Sequence, residues 1–306
     1  MFKEASSFVE GVDFTFALIF GISLFFLVGI TVVMIYFVVK YHHKKNPKAT
    51  DIEGNFSLEV LWTVIPTILV MVMFYFGWSG YKQMRIVPKD AIVVEATGRM
   101  WSWSFKYENG KVSDTLVVPI NKAVKLDLMS DDVIHSLFIP AFRVKEDLIP
   151  GDTNYLWFEA REIGSYHILC AEYCGDRHAY MVSKVDVLPM DMYEEWYNTK
   201  IDTSNKLLMG ENLLKSNACL SCHSIDGSRL VGPSFKGFFD GEAEVIENGE
   251  EKTVEKNLEY FKNSVTDPDM QVVKGFNAGM MVPYPDKFTE EDYSNMIEYI
   301  KSLDEE

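Results

Sequence analysis

Two thiols, an imidazole and a thioether stand within residues 170–181, which read CAEYCGDRHAYM. Thiolate sulfur, imidazole nitrogen and a weak thioether form the ligand set of electron-transfer copper sites, whose potential depends on the axial group. A disulfide between Cys170 and Cys174 is one alternative, since exported domains favour disulfides, but it leaves His178 and Met181 without a role. Zinc is another, but it prefers a closed tetrahedral set and has no use for a thioether. The stretch therefore predicts copper.

The residues before this stretch form short runs rich in β-branched and aromatic side chains. Turn signals such as Asn109-Gly110 and Pro150-Gly151 separate them. Several short strands at this spacing predict an all-β sandwich that ends near Leu188, before Pro189. The runs are residues 91–97, 115–119, 123–128 and 154–160.

A copper site of this kind needs a ligand from outside the loop. His135 is the candidate, because Greek-key sandwiches bring an early loop beside the loop between their last strands. His167 is the competitor, but it lies on the run that leads into Cys170 and is interpreted as a strand residue.

The first 80 residues differ from the rest of the chain. Residues 14–39 and 60–78 carry no charge, and at about 1.5 Å per residue the first run spans a bilayer core of about 30 Å. The connecting residues 40–48 contain four lysines, so the positive-inside rule places this loop in the cytoplasm and both termini outside. A transmembrane helical hairpin over residues 1–88 follows, with the acidic remainder of the chain extracytoplasmic.

Glu59 begins the second apolar run and permits two interpretations. Acidic residues favour helix N-termini through the macrodipole, whereas ionisable groups near a membrane also mark proton pathways. Position alone favours the first interpretation.

A second motif lies beyond a predicted linker at residues 190–205. Residues 219–223 read CLSCH, the attachment signature of c-type haem, in which two thiols bind the haem vinyl groups and His223 is the proximal ligand. Zinc or redox chemistry is the alternative reading of the two cysteines. A methionine as the second axial ligand raises the potential of such a haem. Residues 275–284, GFNAGMMVPY, offer Met280 and Met281.

Composition limits the possible functions. The 306 residues carry 29 basic and 45 acidic side chains, a net charge of −16, which excludes a nucleic-acid binder because phosphate recognition requires basic patches. Residues 200–306 hold 11 basic and 21 acidic side chains, so 11 − 21 = −10 of that charge lies there. The only four cysteines form two close pairs, which favours cofactor ligation over a disulfide framework.

Residues 14–189 resemble subunit II of the haem-copper cytochrome c oxidases, through the hairpin, the sandwich, His135-Ser136 and the C-x-E-x-C-G-x-x-H-x-x-M pattern of residues 170–181. The resemblance implies a cupredoxin-like Greek-key fold and a dinuclear CuA centre in which Cys170 and Cys174 bridge both coppers. The other implied ligands are the imidazoles of His135 and His178, and, as weak axial ligands, Met181 and the backbone carbonyl of Glu172.

The same resemblance implies roles for residues outside the copper motif. Glu59 with Trp62 resembles the entrance of a proton channel shared with subunit I, and the Glu172 side chain would reach a magnesium ion held mainly by subunit I. Trp101 would lie where electrons enter, whereas Trp103 is equally well explained by sandwich packing. Met100 stands where the family often has glutamine, which leaves the details of that surface open.

Residues 206–303 resemble class I cytochromes c. In that family the axial methionine directly precedes a proline, whereas Val282 intervenes here, so Met281 is favoured over Met280 as the ligand. Pro233 resembles the residue whose carbonyl orients the proximal histidine.

The sequence thus predicts a multidomain membrane protein with four parts: a two-helix transmembrane hairpin (1–88), an all-β cupredoxin-like CuA domain (89–189), a linker (190–205) and an all-α cytochrome c domain (206–306). The expected function is that of subunit II of a caa-type oxidase in a bacterial inner membrane, with lipid, subunit I and other oxidase subunits as partners. A quinol-oxidising complex or a cytochrome c would be the electron donor. A membrane-anchored electron carrier for another reductase and a copper-delivery module are the alternatives, and a quinol oxidase is disfavoured because the copper ligands are retained.

Overall fold

Two long helices begin the computed structural model, which describes residues 5–48, 53–199 and 204–304. Helix α1 spans Val9–Lys40 and α2 spans Phe56–Met84, and both are long and apolar enough to cross a membrane. Each helix extends beyond the uncharged run from which it was predicted. The Asn55 side chain caps α2 by accepting a hydrogen bond from the Leu58 amide at 3.1 Å. No residue of α2 is buried within the chain, as expected for a helix whose apolar surface faces lipid or another subunit.

A β-sandwich follows, as predicted. Its two five-stranded sheets have the orders β3-β2-β1-β5-β8 and β4-β10-β9-β6-β7. Neighbouring strands are antiparallel except for the parallel pairs β1/β5 and β4/β10. The strands are β1 Ile92–Arg99, β2 Ser102–Tyr107, β3 Val112–Ser113, β4 Leu116–Pro119, β5 Ala123–Ser130, β6 His135–Ile139, β7 Val144–Leu148, β8 Asn154–Glu159, β9 Gly164–Cys170 and β10 Val182–Leu188.

The core of the sandwich lies between the two sheets. Burial alternates along β2 and β8, so that every second side chain faces inward, as the period of two of a strand requires. Phe105, Leu126, Phe158 and Ile168 are fully buried there. The sandwich is thereby a rigid support for the loops at its ends.

The sandwich is fastened to the membrane helices by ion pairs near their ends. Arg143 binds Asp13 of α1 with an Nε–Oδ1 distance of 2.7 Å, and Arg85, directly after α2, lies 2.6 Å from the Glu146 carboxylate. The Ser7 amide also donates to the Glu159 carbonyl at 3.0 Å. These contacts hold one face of the sandwich against the hairpin.

The C-terminal domain is helical, as predicted. A preceding helix, α3 Met190–Asn198, packs Trp196 edge-on against Tyr107 of the sandwich, with ring centroids 4.9 Å apart. The domain itself contains α4 Lys206–Ser216, α5 Cys219–Cys222, α6 Leu258–Thr266 and α7 Glu290–Ser302. Helices α4 and α7 cross closely at Gly210, where a Cβ would overlap the Asn295 carbonyl. Only glycine therefore allows this approach.

The helical domain also carries a small sheet that the sequence analysis did not predict. Its antiparallel order is β12-β11-β13, with β11 Glu242–Glu247, β12 Glu250–Glu255 and β13 Val272–Val273. Asn248 and Gly249, both at positive φ, turn the chain between β11 and β12. The expectation of an all-α domain is therefore incomplete in this one respect.

Candidate copper and haem sites

The sulfur atoms of Cys170 and Cys174 lie 3.8 Å apart at one end of the sandwich. Both residues are free thiols, and a disulfide requires a separation of about 2.05 Å. Cys170 is the last residue of β9 and Cys174 lies in the loop that leads to β10, whose turn passes through Gly175 at a φ of 112°. A Cβ at that position would lie 3.2 Å from the Trp101 ring, so a glycine is required here on two counts.

The other predicted copper ligands surround this sulfur pair. His135 Nδ1 is 3.9 Å from the Cys170 sulfur, and the Glu172 carbonyl accepts from that thiol at 3.2 Å. On the other side, His178 Nδ1 is 3.5 Å and Met181 Sδ 3.7 Å from the Cys174 sulfur. Each sulfur thus has one imidazole beside it, and each has one weaker donor.

Strand pairing brings the remote histidine to the loop. His135 begins β6, which pairs with β9 so that Leu137 lies opposite Cys170. A Cβ at Gly98 would lie 3.1 Å from the His135 ring, and the absence of a side chain there gives the imidazole its space. His167, the competing residue, is exposed on β9 and is not part of this cluster.

A carboxylate that the sequence analysis missed orients His135. Asp132 Oδ1 lies 2.7 Å from His135 Nε2, which leaves Nδ1 directed at the sulfur. Such a partner fixes the tautomer and raises the basicity of a metal-binding imidazole. Burial opposes the charge on His135, but the hydrogen bonds and charges of Asp132 and Cys170 together outweigh burial and raise its pKa. In the sequence, the signal for this role is that an aspartate lies three residues before the predicted ligand His135.

The two thiols have different electrostatic environments. Burial opposes ionisation of Cys170, but hydrogen bonds with His135 and with the Ser136 and Glu172 backbone outweigh burial and lower its pKa. The pKa of Cys174 is raised by burial and by the neighbouring Cys170. Cys170 is therefore the thiol that ionises more readily, and a bound metal would have to favour ionisation of Cys174 by its own charge.

Two tryptophans adjoin the cluster. Trp101, 4% exposed, donates through Nε1 to the Cys174 carbonyl at 3.0 Å. Trp103 is buried, donates to the Met181 carbonyl at 3.4 Å and stands edge-on to the His135 ring at 6.2 Å. Trp103 therefore packs in the core of the sandwich and also contacts two of the predicted copper ligands.

A largely apolar cavity fills the centre of the C-terminal domain. Cys219, Cys222 and His223 line one side and Met280 and Met281 another. His223 Nδ1 lies 2.7 Å from the Pro233 carbonyl, to which it donates, so that Nε2 remains available as a ligand. Burial lowers the pKa of His223, which favours the neutral imidazole that iron requires. A Cβ at Gly232 would lie 2.5 Å from the His223 ring, so only glycine fits behind it.

The two candidate axial methionines pack differently. Met281 packs against the core of its own domain, formed by residues such as Leu214, Phe261 and Met296. Met280 packs against the hydrophobic cluster of the sandwich. Both methionines line the cavity, but only Met281 is held by the domain that would hold the haem.

The cavity opens toward the sandwich. Arg99 and Met100, at the end of β1, are lining residues contributed by the sandwich, and Cys222 and Val231 pack against the sandwich cluster. Arg177, from the copper-motif loop, donates to the Ser221 carbonyl. The CLSCH segment thus contacts the loop that carries Cys174 and His178, and Cys222 packs against the hydrophobic cluster that includes Trp101 and Cys174.

The two predicted carboxylate sites lie apart from each other. Glu59 is exposed in the first turn of α2, whereas the opposite end of this helix leads to Arg85 and the sandwich. The Glu172 side chain is half exposed, with its carboxylate 3.7 Å from Lys145 Nζ. The Glu172 carboxylate is exposed at the surface, where a partner could supply further ligands.

The donor sets fit the predicted groups. Two sulfurs, each with its own imidazole and one weak donor, suit a thiolate-bridged copper pair, whereas zinc would use only four strong donors. The cavity combines two cysteines, an oriented imidazole and thioethers within apolar walls, as a covalently held haem requires. Together these features define a membrane-anchored protein with a cupredoxin-like domain and a cytochrome c domain.

Comparison with known proteins identifies the family. The model described as "Cytochrome C oxidase subunit II, transmembrane domain" matches residues 1–78, the corresponding periplasmic domain matches residues 110–188, and "Cytochrome c" matches residues 208–304. A cytochrome c oxidase subunit 2 from Alkalihalophilus pseudofirmus is 33% identical over 304 residues, covering 94% of this chain and 86% of the relative. One from Bacillus sp. (strain PS3) is 30% identical, covering 86% and 78%.

Among solved structures, the periplasmic domain of cytochrome oxidase subunit II (CoxB) of Bradyrhizobium japonicum is 36% identical. The matched region covers 36% of this chain and 94% of that domain, with a TM-score of 0.35. On the sequence relatives, the chain belongs to the cytochrome c oxidase subunit II family and is a subunit of an oxidase.

Proposed function

We propose that this chain passes electrons from a haem c, bound covalently through Cys219 and Cys222, to a dinuclear CuA centre at Cys170 and Cys174, and on to subunit I. There oxygen is reduced to water, coupled to proton translocation. The observation that carries the proposal is the adjacency of the two sites. Met100 borders the haem cavity, and the next residue, Trp101, is hydrogen-bonded to the Cys174 carbonyl.

The residues of the copper site would hold a pair of metals in a nearly fixed geometry. Cys170 and Cys174 would bridge, His135 and His178 would each bind one metal, and Met181 and the Glu172 carbonyl would be the weak axial donors. Two bridging thiolates allow one electron to be shared by both metals. Because the loop is fixed by the strands on both sides and His135 by Asp132, the protein adds little reorganisation of its own.

The residues of the haem site would set the iron ligands. Pro233 holds His223 in the tautomer that presents Nε2, and Met281 would be the second axial ligand, with Met280 as the alternative. A haem with these ligands supplies reversible one-electron transfer at a raised potential. Trp101, which is buried and hydrogen-bonded to the Cys174 carbonyl, would be the point at which electrons enter the CuA domain.

Further roles involve partners. We propose that α1 and α2 place the chain in a bacterial inner membrane as a multi-pass subunit, with both cofactor domains on the periplasmic side. Glu59 with Trp62 would form the entrance of a proton channel shared with subunit I. Glu172 would contribute its carboxylate to a magnesium ion shared with subunit I. A quinol-oxidising complex or a cytochrome c would supply the electrons.

The test is to purify the chain from membranes together with its partners and to record optical and electron paramagnetic resonance spectra. We expect covalent haem c, a copper signal with one electron shared by two metals, and a large haem-bearing subunit in the complex. His178→Ala should remove the shared-electron signal, whereas His167→Ala, a matched change on the exposed face of β9, should keep it.

The alternatives predict different results. A mononuclear copper signal, or a chain without covalent haem, would contradict the proposal. A chain that carries both cofactors but never co-purifies with a haem-bearing subunit would instead be a membrane-anchored carrier for another reductase.

A further inference from the structure

Arg99 belongs to the sandwich, yet its side chain lies in the haem cavity of the cytochrome c domain. It is the last residue of β1, two positions before Trp101, and it lines the cavity together with His223 and Met281. Its guanidinium carbon is 3.8 Å from the centre of the Tyr284 ring, on the opposite domain. This residue is therefore shared by the two domains.

The guanidinium of Arg99 is largely buried, and two of its three nitrogen atoms have no hydrogen bond among the described residues. Only 14% of its side-chain surface is exposed, and the Nε and Nη1 atoms are buried without a hydrogen bond to any residue in the described part of the chain. Leaving a buried charged donor unpaired is costly, and such groups in native proteins call for an explanation. The simplest explanation is that a group bound in the cavity accepts hydrogen bonds from Arg99.

The positive charges of Arg99 and Lys287 also favour an anion at this position. Lys287 lies over the same Tyr284 ring, with Nζ 5.0 Å from its centre. The carboxylate nearest to Arg99 is Asp131, whose Oδ2 is 3.9 Å from Nε and whose side chain is 42% exposed. Two cations thus share one solvated carboxylate, in a domain that is otherwise strongly acidic.

We propose that Arg99 completes the haem site by binding a propionate carboxylate of the haem held by Cys219 and Cys222, with Lys287 as the second cation. This inference rests on the proposed function, because it requires the haem. Haem c carries two propionates, and a guanidinium binds carboxylates through paired N–H groups. The CuA domain would thereby supply part of the haem environment, and the haem would gain this counter-charge only while the two domains are docked.

The experiment is an equilibrium redox titration of haem c in the purified oxidase complex, with the Arg99→Gln, Arg99→Lys and Arg161→Gln variants. Arg161 is a matched control, an exposed arginine of the sandwich beside Glu159 that does not line the cavity. A cation beside the haem favours the reduced iron. We expect Arg99→Gln to lower the reduction equilibrium constant about tenfold, which is about 59 mV for a one-electron couple.

Arg99→Lys should recover part of that loss, because it keeps the charge but not the paired geometry, and Arg161→Gln should have no effect. Redox-difference infrared spectra should show the carboxylate bands of the haem shifted in Arg99→Gln. An unchanged potential in Arg99→Gln, or a changed potential with unmoved carboxylate bands, would overturn the inference. If Arg99→Gln does not assemble, Arg99→Lys decides by the same two readouts.

Failure of the proposed function has a different signature. A wild-type chain that carries no covalent haem would remove the basis of both proposals. Covalent haem with an Arg99-independent potential would leave the proposed electron route intact and reject only the role of Arg99.

Discussion

Met280 and Met281 are neighbours in the chain, yet their side chains pack against different domains. Because Met281 is held within the cytochrome core, it is the residue whose sulfur has a fixed position relative to His223. Met280 faces the sandwich, where it contributes to the contact between domains. The interposed Val282, which left the choice open in the sequence, is compatible with this division.

This division predicts distinct phenotypes for two matched variants. Met281→Leu should abolish the spectrum of a low-spin haem with a methionine ligand, since leucine fills the space but donates no electron pair. Met280→Leu, a change of the same size, should preserve that spectrum. Optical and magnetic circular dichroism spectra of the purified chain measure both. The reverse pattern would assign the iron to Met280.

At the residue scale, sequence indicates candidate ligands more readily than the groups that would support them. Residues 170–181 and 219–223 carry their donor groups at short, fixed spacings, so the sequence alone suggests them as candidate ligands. Asp132 had a weaker local signal, its spacing of three from His135. Arg99 had none, because its contact with Tyr284 joins distant parts of the chain and arises only when the two domains meet.

At the element scale, Tyr107 fastens β2 to the other sheet. Its hydroxyl donates to the Val117 carbonyl at 2.9 Å and accepts from the Val117 amide at 2.7 Å, across the sandwich core. The ring is 2% exposed and supports Trp196 of α3. One hydroxyl therefore satisfies both backbone groups of a β4 residue.

We expect Tyr107→Phe to destabilise the sandwich by about 1–3 kcal/mol, because it leaves a buried amide and a buried carbonyl unpaired while keeping the ring. Thermal unfolding of the detergent-solubilised chain, followed by tryptophan fluorescence, measures the loss. Tyr173→Phe is the matched control, since that ring is 76% exposed. Equal midpoints for Tyr107→Phe and wild type would refute the role given to the hydroxyl.

The difference in stability between wild type and Tyr107→Phe should depend on pH in the alkaline range. Burial raises the pKa of Tyr107 far above its ordinary value, so its contribution to stability is fully present below the unfolded pKa of about 10 and is lost as the pH rises above it. The phenylalanine variant has no proton to lose. The difference in midpoint between wild type and Tyr107→Phe should therefore shrink above about pH 10.

Element prediction succeeded where period and length were distinctive, as in the long apolar runs of α1 and α2 and the alternating strands of the sandwich. It missed β11 and β12, although residues 242–255 contain an Asn-Gly pair between alternating glutamates and apolar residues, the usual hairpin signal. The haem signature led to the expectation of helices throughout that domain. Local turn chemistry, rather than the character of the domain, decided the structure there.

At the scale of the whole molecule, the charge of the chain and the contact between its domains are separate features. Much negative charge lies on the hairpin of β11 and β12, whose glutamates are exposed except for the half-buried Glu247. At the contact itself, Arg177 donates to the Ser221 carbonyl and Arg99 lies over the Tyr284 ring, so cations meet neutral groups of the cytochrome c domain. Apolar packing of Met280, Cys222 and Val231 completes the contact.

The printed contacts between the domains are cation–neutral or apolar, and the proposed pair of Arg99 with a haem propionate would be buried, where salt screens little, so salt should affect docking little. Raising the ionic strength from about 0.1 M to about 1 M shortens the Debye length from about 10 Å to about 3 Å, which suppresses attraction between exposed charges. We expect the rate constant of electron transfer from haem c to CuA within the chain, measured by laser-flash reduction, to change less than about twofold over this range. The reaction with an added basic cytochrome c, which must approach the acidic surface, should slow steeply in the same series and is the control. A comparably steep fall of the internal rate would mean that long-range charge, and not the packing around Met100, Arg99 and Arg177, holds the two domains together.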